Sequence, residues 1–399
     1  MFLITQDLES PSGIGRYFPL SKYLVDEGFS VTIAALHSNY KSLKYHQIEK
    51  EGVTIKLLSQ MHVKKIDNQT IYFKNFKLIW VTIKATWKLL IYLLKNPADV
   101  VVIGKPHPMN SIAGLLGGNL VKAKIILDCD DYEAESNYFN TSWQHWIIRF
   151  FENLMPSLVN HVTTNTIFNK TRMINLGIPE KRIHYLPNGV DSSIFNKPNP
   201  FKSTELSTNF GINENKVVSY IGSLNLSNHP VDLLLKAFKI IKSQLIYVSL
   251  LIIGGGKDFQ KLRKLSSDLE IDANVIFVGK IPQDLIPDYY SMTDVIVDPV
   301  YDTDSAKGRC PLKIFESWAM GIPLVTSDVG DRSFLAGNSQ TILLAKPGDP
   351  CDLAKKINMI LTNPELSSLM KLNGNERVRS FYWKNIVKNN WEIFTKDGN

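Results

Sequence analysis

The sequence predicts an α/β protein of two domains, each built on a buried parallel sheet. Three observations predict it: short runs rich in Val and Ile that are apolar on both faces, helix-period segments between them, and one break in this alternation near mid-chain. Strands buried on both faces read as continuous apolar runs, and parallel neighbours need a helical crossover. At 399 residues the chain is too long for one core and suits two domains of about 200 residues each.

In the first half the strand candidates are MFLIT (1–5), FSVTIAAL (29–36), VTIKLL (53–58), DVVVIG (99–104), KIILDC (124–129) and HVTTN (161–165). In the second they are VVSYIG (217–222), VSLLIIG (248–254), NVIFVG (274–279), VIVDPV (295–300), IPLVTS (322–327) and TILLA (341–345). Two such sets imply two Rossmann-like domains. The break falls in YLPNGVDSSIFNKPNPFKS (185–203), where Pro, Asn, Gly and Ser concentrate and periodicity is lost. The expected domains are therefore 1–190 and 191–379. The amphipathic segment 380–397 is expected to pack back onto the first.

The content, 44% hydrophobic and 21% charged, is that of an ordinary soluble globular protein. A net charge of +7 favours anionic partners such as nucleotides, nucleic acids or acidic lipid headgroups. Cys129, Cys310 and Cys351 form no CxxC pair, which argues for a reducing compartment and against a disulfide framework or a zinc site. The amino-terminal MFLITQDLESPSGIG has neither a basic n-region nor a long apolar h-region. A cytoplasmic location is the expectation.

In SPSGIGRYFPLSKYLVDEG, Gly13 and Gly15 suggest a tight turn whose amides, with the following helix start, favour an anion that Arg16 can also reach. Phe18 stands where a dinucleotide fingerprint has its third glycine. A phosphate or sugar site and a merely structural turn both remain open. GKPHPMNSIAG places Lys105 and His107 just past a strand, where ligands collect in open parallel sheets. A catalytic His107 and a structural one are both compatible with this position.

The next strand ends in LDCDDYEAESN. Asp128 and Asp130 spell D-x-D, the pattern of an oxygen-ligand metal grip, but a metal usually needs more ligands. The alternatives are strand-end acids that cap a helix, or Asp130 facing a substrate. KNFKLIWVTIKATWKLLIYLLKN (74–96) puts Lys77, Lys84, Lys88 and Lys95 within about 40° of one another on a helix, amid apolar residues that include Trp80 and Trp87. The lysines oppose a transmembrane span. The helix is either a core helix with a solvated stripe or an interfacial helix drawn to anionic lipid. TSWQHWIIRFFENLMPSL has the same character, and together they favour peripheral membrane binding by the first domain.

In the second half, YIGSLNLSNHPVDLLLKAF puts Gly222 and Ser223 at a strand end, with His229 in the loop beyond. Gly254, Gly255 and Gly256 follow another strand and read as a flexible connector or an anion loop. KGRCPLKIFESWAMGIPLVTSDVGD brings Lys307 and Arg309 before Pro311 and Leu312 at a helix start, a setting suited to a diphosphate. Lys313 and Glu316, three apart, share a helix face. The Glu316 carboxylate can accept two hydroxyl hydrogen bonds from a ribose diol, or pair with Lys313.

PLKIFESWAMGIPLVTSDVGD resembles the donor-site segment of retaining nucleotide-sugar glycosyltransferases of the GT-B fold, family 4. So do NLGIPEKRIHYLPNGVDSSIF, YIGSLNLSNHPVDLLLKAF, SLLIIGGGKDFQKL, NVIFVGKIPQDLIPDYYSMTDVIVDPV and GIGRYFPLSKYLVDEGFSVTIAAL, in the expected order over nearly the whole chain. The resemblance implies two Rossmann-like domains facing across a cleft, donor on the second and acceptor on the first, with no metal or other cofactor. It implies that Glu316 holds the donor ribose and that the helix from Pro311 faces the diphosphate.

Two departures from the pattern stand out. Eight positions before Glu316 the family often has a second glutamate, and here stands Gly308. Ser223 replaces the usual arginine after the first strand of the second domain, and His229 lies near the lysine position. Lys307, Arg309 or Lys313 is expected to supply the missing charge.

The activity implied is retaining transfer of a sugar from a nucleotide diphosphate sugar to an acceptor hydroxyl. His107 or Asp130 would orient or polarise the acceptor, which the first-domain helices suggest is lipid-linked or membrane-proximal, as in envelope polysaccharide or glycolipid assembly. Expected partners are thus a nucleotide sugar, the acceptor and an anionic membrane surface, and not nucleic acid. A catalytically impaired GT-B partner protein is the alternative that Gly308 and Ser223 suggest. A nicotinamide-dependent oxidoreductase would need the fingerprint that Phe18 breaks.

Overall fold

A computed structural model describes the chain except Pro11, Asp67, Asn68, Tyr138, Asn140, Lys197, Pro198, Asn338, Ser339 and residues 397–399, and except the side chains of Ile66, Gln69, Thr70 and Asn75. Parts of the expected interdomain break and the last residue of the expected terminal segment lie outside the described residues. The chain forms two compact units. Unit 1 comprises Met1–Gly189, Gly308–Cys310 and Trp383–Asn399; unit 2 comprises Val190–Lys307 and Pro311–Tyr382.

Unit 1 carries the strands β1 (Phe2–Ile4), β2 (Thr32–His37), β3 (Gln47–Lys50), β4 (Val53–Gln60), β5 (Val63–Ile66), β6 (Gln69–Tyr72), β7 (Val100–Gly104), β8 (Lys124–Cys129), β9 (His161–Thr164) and β10 (Ile183–Tyr185). Its main sheet runs β10-β9-β8-β7-β1-β2-β4-β3, parallel except for β3 against β4. Its helices are α1 (Phe18–Asp26), α2 (Asn75–Lys95), α3 (Pro108–Leu120), α4 (Glu133–Ser136), α5 (Ser142–Leu158) and α6 (Ile167–Asn175). Period-2 alternation sends Phe2 and Ile4 into one core and Leu3 into another on the opposite sheet face.

Unit 2 has the parallel order β13-β12-β11-β14-β15-β16, with β11 (Lys216–Ile221), β12 (Val248–Ile253), β13 (Val275–Gly279), β14 (Val295–Asp298), β15 (Leu324–Ser327) and β16 (Ile342–Ala345). Between and after them run α7 (Pro200–Phe210), α8 (Val231–Gln244), α9 (Phe259–Asp268), α10 (Ile286–Ser291), α11 (Asp304–Lys307), α12 (Leu312–Ala319), α13 (Arg332–Ala336), α14 (Pro350–Thr362) and α15 (Pro364–Arg377). Three of these helices open on an Asn or Asp cap followed by Pro: Asn199-Pro200, Asp349-Pro350 and Asn363-Pro364. The cap oxygen accepts a first-turn amide, and Pro sits where no amide needs a partner. Then α16 (Trp383–Asn390) returns to unit 1, burying Trp383, Ile386 and Val387 in the same core as Leu20 and Leu24 of α1.

Each of the twelve apolar runs contains an observed strand. Absent from that set are β3, whose residues QIEK are all exposed, the β5–β6 hairpin and the three-residue β10. β3 has no buried residue to give a periodic signal, and β5, β6 and β10 are only three or four residues long, too short for alternation to stand out. The strand orders also locate ligand positions, because the parallel part of each main sheet reverses direction of growth once: between β1 and β7 in unit 1, and between β11 and β14 in unit 2. Ligands of open α/β sheets bind beyond the carboxyl ends of strands at such points.

Candidate active site

At the β1/β7 reversal, Thr5 follows β1 while Lys105 and His107 follow β7. Lys105 has a left-handed backbone (φ 69°), a conformation that costs a non-glycine residue about 1–3 kcal/mol. It is held there by its own amide on Asp128 O (3.0 Å) and by Asn110 Nδ2 on its carbonyl (3.1 Å). The consequence is an inward ammonium. Its Nζ lies 2.6 Å from Glu133, 2.8 Å from Asp131 and 3.1 Å from Asp130.

His107 caps α3 and uses both ring nitrogens: Nδ1 lies 2.7 Å from Thr5 Oγ1, and Nε2 lies 2.9 Å from Glu133 Oε2. Glu133 is placed in turn by Glu152 of α5, whose carboxylate accepts the amides of Glu133 and Ala134. Either a hydrogen bond to a substrate or proton exchange with it would require His107 to release Thr5 or Glu133.

Burial pushes the Asp130 carboxyl up to about 7, against the pull of Lys105 and with the help of Asp131, Asp128 and Glu133. Glu133 goes the other way: burial opposes its charge, but Lys105 and His107 hold it well below the usual carboxylate range. One lysine thus keeps Glu133 ionised while Asp130 titrates near neutrality. Carboxylate oxygens of Asp130, Asp131 and Glu133 lie within 4.8 Å of one another, with the Lys105 ammonium against all three.

The D-x-D expectation separates here. Asp130 faces Lys105, whereas Asp128 takes the Arg16 guanidinium on both oxygens (2.6 and 2.8 Å) and the Thr163 hydroxyl (2.6 Å). The availability of Arg16 to an anion is also corrected. Arg16 is 1% exposed, and its remaining donors reach Leu186 O and Asn188 Oδ1. The glycine turn opens as a five-residue π-helix, Gly13–Tyr17, in which the Gly13 amide donates to Ser10 Oγ and Gly15 O accepts from Trp383 Nε1. A buried bidentate Arg–carboxylate pair welds the first helix to β8.

At the β11/β14 reversal of unit 2, Asp298 ends β14 and accepts Lys313 Nζ (2.8 Å) and Arg332 (3.0 Å). The two cations hold its carboxyl well below the usual range despite burial. Lys313 therefore pairs with Asp298, not with Glu316. Its ammonium stands over the Tyr220 ring, 4.2 Å from the centroid, and a Cβ added to Gly222 would lie 3.4 Å from it. The Lys313 ammonium thus lies beside the first loop of this domain, carried there by α12. Ser223, exposed at the end of β11, has its carbonyl held by Tyr220 Oη.

Pro311 is the N-cap of α12, one residue before the expected first turn, and Leu312 is its first residue. Glu316, half-buried on that helix, accepts a hydrogen bond from Tyr290 Oη at Oε2 (2.9 Å). Burial raises its pKa, and Tyr290 and Lys313 moderate the rise. Lys307 is spoken for by Asp302 (3.1 Å) and Asp304 (3.5 Å). Arg309 is half-buried, in the segment that belongs to unit 1. The glycine run after β12 is no slack connector: a Cβ at Gly254 would collide with Gly222 O, and one at Gly256 with Leu224 O. Thr5, Glu133, Tyr290 and Asp298 were not singled out from sequence; of these only Asp298, an acid closing an apolar strand, carries a local signal.

Two family models cover most of the chain: Glycosyltransferase Family 4 over residues 12–194 and Glycosyl transferases group 1 over residues 203–377. The chain belongs to the group 1, family 4-type glycosyltransferase family. It is 25% identical over 221 residues to the GDP-mannose-dependent alpha-(1-6)-phosphatidylinositol monomannoside mannosyltransferase of Mycolicibacterium smegmatis, a match spanning 53% of this chain and 56% of that one. The match thus spans little more than half the length of that relative. Among solved structures, sucrose-phosphate synthase from Thermosynechococcus elongatus superposes with a TM-score of 0.78 at 19% identity, covering 98% of this chain and 97% of that one. The Anabaena Alr3699/HepE complex with UDP-glucose gives 0.75 at 16% identity, each chain being 98% covered. These likenesses place the chain in the GT-B fold.

Unit 1 also exposes basic and apolar side chains on three of its helices. On α2, Val81, Ala85, Leu89 and Leu93 are buried, whereas Lys77, Lys84, Lys88 and Lys95 are exposed together with Trp80 (66%) and Trp87 (59%). Neighbouring α3 exposes Leu116 and Leu120, and α5 exposes Trp146 stacked on Phe150. A Cβ on Gly117 would meet Leu93 at 2.6 Å, so α2 and α3 approach closely there. No helix among the described residues is long and apolar enough to cross a membrane.

Proposed function

We propose that the enzyme transfers a sugar, with retention, from a nucleotide diphosphate sugar held by unit 2 to a hydroxyl of a lipid-linked or membrane-proximal acceptor held by unit 1. The observation that carries this is the constellation at the β11/β14 reversal. Lys313 spends one of its three donors on Asp298 and keeps the others for a phosphate beside Gly222. The first amides of α12 add partial positive charge. Glu316 keeps one oxygen and part of the other for the ribose diol.

The acceptor oxygen bonds to the anomeric carbon on the face from which the diphosphate oxygen departs, and the acceptor proton passes to that leaving oxygen. Charge stabilisation of the leaving group supplies most of the barrier reduction. In unit 1, His107 orients the acceptor by exchanging its bond to Thr5 for one to the acceptor, and Asp130, titrating near neutrality, polarises its hydroxyl. The mycolicibacterial relative named for GDP-mannose and a phosphatidylinositol mannoside, and the Anabaena complex with UDP-glucose, support a nucleotide sugar donor. The former also supports a lipid-linked acceptor. The lysine and tryptophan face of α2, with α5, supports peripheral attachment to an anionic membrane from the cytoplasm.

A thermal-shift panel of nucleotide sugars tests the reading. One donor should raise the melting temperature and be slowly hydrolysed. Stabilisation by none of them would sink it and favour a partner protein without transferase activity.

A further inference from the structure

A cavity of about 280 Å³ opens between α2 and α5 in unit 1. Its lining includes Ile79, Ile83, Met109, Trp143, Ile147 and Ile148, and its polar groups include the His107 and His62 rings, 6.4 Å apart. Met109 and Phe73 are buried, whereas Ile79, Ile83 and Trp143 are exposed. His107 thus sets one part of the lining at the β1/β7 reversal, and the exposed Ile79, Ile83 and Trp143 set another part at the surface. Burial drives the His62 pKa down to about 4, so that ring stays neutral against an apolar ligand.

We propose that this cavity holds the first stretch of the aliphatic chain of a lipid-anchored acceptor, with the hydroxyl-bearing head at His107 and the rest of the chain leaving between α2 and α5 toward the bilayer. The proposal rests on the proposed membrane acceptor and deepens it. Three features select this occupant. The volume lies just below the range of pockets for whole small ligands, about 300–1,000 Å³, and so suits a chain segment rather than an entire lipid. The mouth residues Ile79 and Ile83 lie on the helix that exposes Trp80 and Trp87, so a chain can pass from bilayer to cavity without crossing water. Lys77, Lys84 and Lys88 lie exposed on that helix and complement an anionic lipid surface.

The test is equilibrium binding of hexyl, octyl and decyl phosphate, each below its micellar concentration, with inorganic phosphate as control. Affinity should rise about fourfold per added methylene while the chain is entering the cavity. Thr82→Phe fills the cavity without adding charge, and Ile83→Asp puts a carboxylate at its mouth. Both side chains are at least partly solvent-exposed, so the fold should survive, and both variants should flatten the chain-length series. Equal affinity for the hexyl and decyl compounds, or a series that stays steep in both variants, overturns the proposal. A flat series is also the result expected if this face docks a second copy of the chain. Stabilisation by the nucleotide-sugar panel is read separately on the same samples, so failure of the cavity and failure of the transferase reading give different results.

Discussion

Replacing Glu316 by Ala removes the group proposed to hold the donor ribose, and the structure sets the size of the effect. Tyr290 uses one acceptor site on Oε2, which leaves Oε1 and the rest of Oε2 for two hydroxyl donors. A hydrogen bond to a charged acceptor contributes about 1.5–3 kcal/mol, and water refilling the truncated site returns part of that. The pair should therefore be worth about 3 kcal/mol, roughly a 150-fold increase in Kd.

Isothermal titration of the preferred nucleotide and its 2′-deoxy form is the direct assay. The wild type should favour the ribose form, Glu316→Ala should bind both alike and weakly, and Glu316→Gln should fall between. Because burial raises the Glu316 pKa, discrimination should fade at a higher pH than for an exposed glutamate as its carboxylate protonates. Equal binding of both forms by the wild type, or discrimination that persists in Glu316→Ala, would refute the assignment.

Asp298→Ala strands Lys313 and Arg332 as buried cations and should cost about 3–5 kcal/mol of stability by denaturant titration; a loss below about 1 kcal/mol would show that water compensates them. In the wild type the Asp298 pKa is depressed, so its contribution is complete above the unfolded value near 3.9 and disappears as pH falls below it. Asp130 has the opposite sign. Raised to about 7, it binds more protons folded than unfolded between about pH 4 and pH 7, so it removes stability as pH rises through that window. Asp130→Asn should make the fall in denaturation midpoint between about pH 5 and about pH 8 shallower, and an unchanged slope would assign that window to other groups such as Glu152. Lys84→Gln with Lys88→Gln should weaken cosedimentation with anionic vesicles by about 2 kcal/mol, roughly thirtyfold at low salt; unchanged sedimentation would place the membrane contact elsewhere.

The site was legible in unequal parts. Glu316 stands out in sequence because an acid on an apolar helix after Pro311 breaks a local pattern. Tyr290, its hydrogen-bonding partner, lies in a tyrosine pair with no such contrast. Arg16 and Lys313 both read in sequence as cations near an anion; Arg16 is fully occupied by Asp128 and its neighbours, whereas Lys313 gives one donor to the buried Asp298. Their partners stand 112 and 15 residues away. No window of sequence identifies such partners, because burial of a charge only requires some opposite charge within reach.

The sequence by itself determined the two parallel sheets, since a strand buried on both faces must be apolar at every position and a helical crossover must separate it from the next. It also determined the exposed charge on α2, where lysines recur at helical period. Tertiary structure alone decided which acids Lys105 and Lys313 serve, that Thr5 and Glu133 occupy both nitrogens of His107, and that α2 and α5 enclose a cavity. Those outcomes depend on the strand order of each sheet, which brings the ends of β1 and β7, and of β11 and β14, side by side. Periodicity is a local property of the chain, whereas adjacency is a property of the packed sheet.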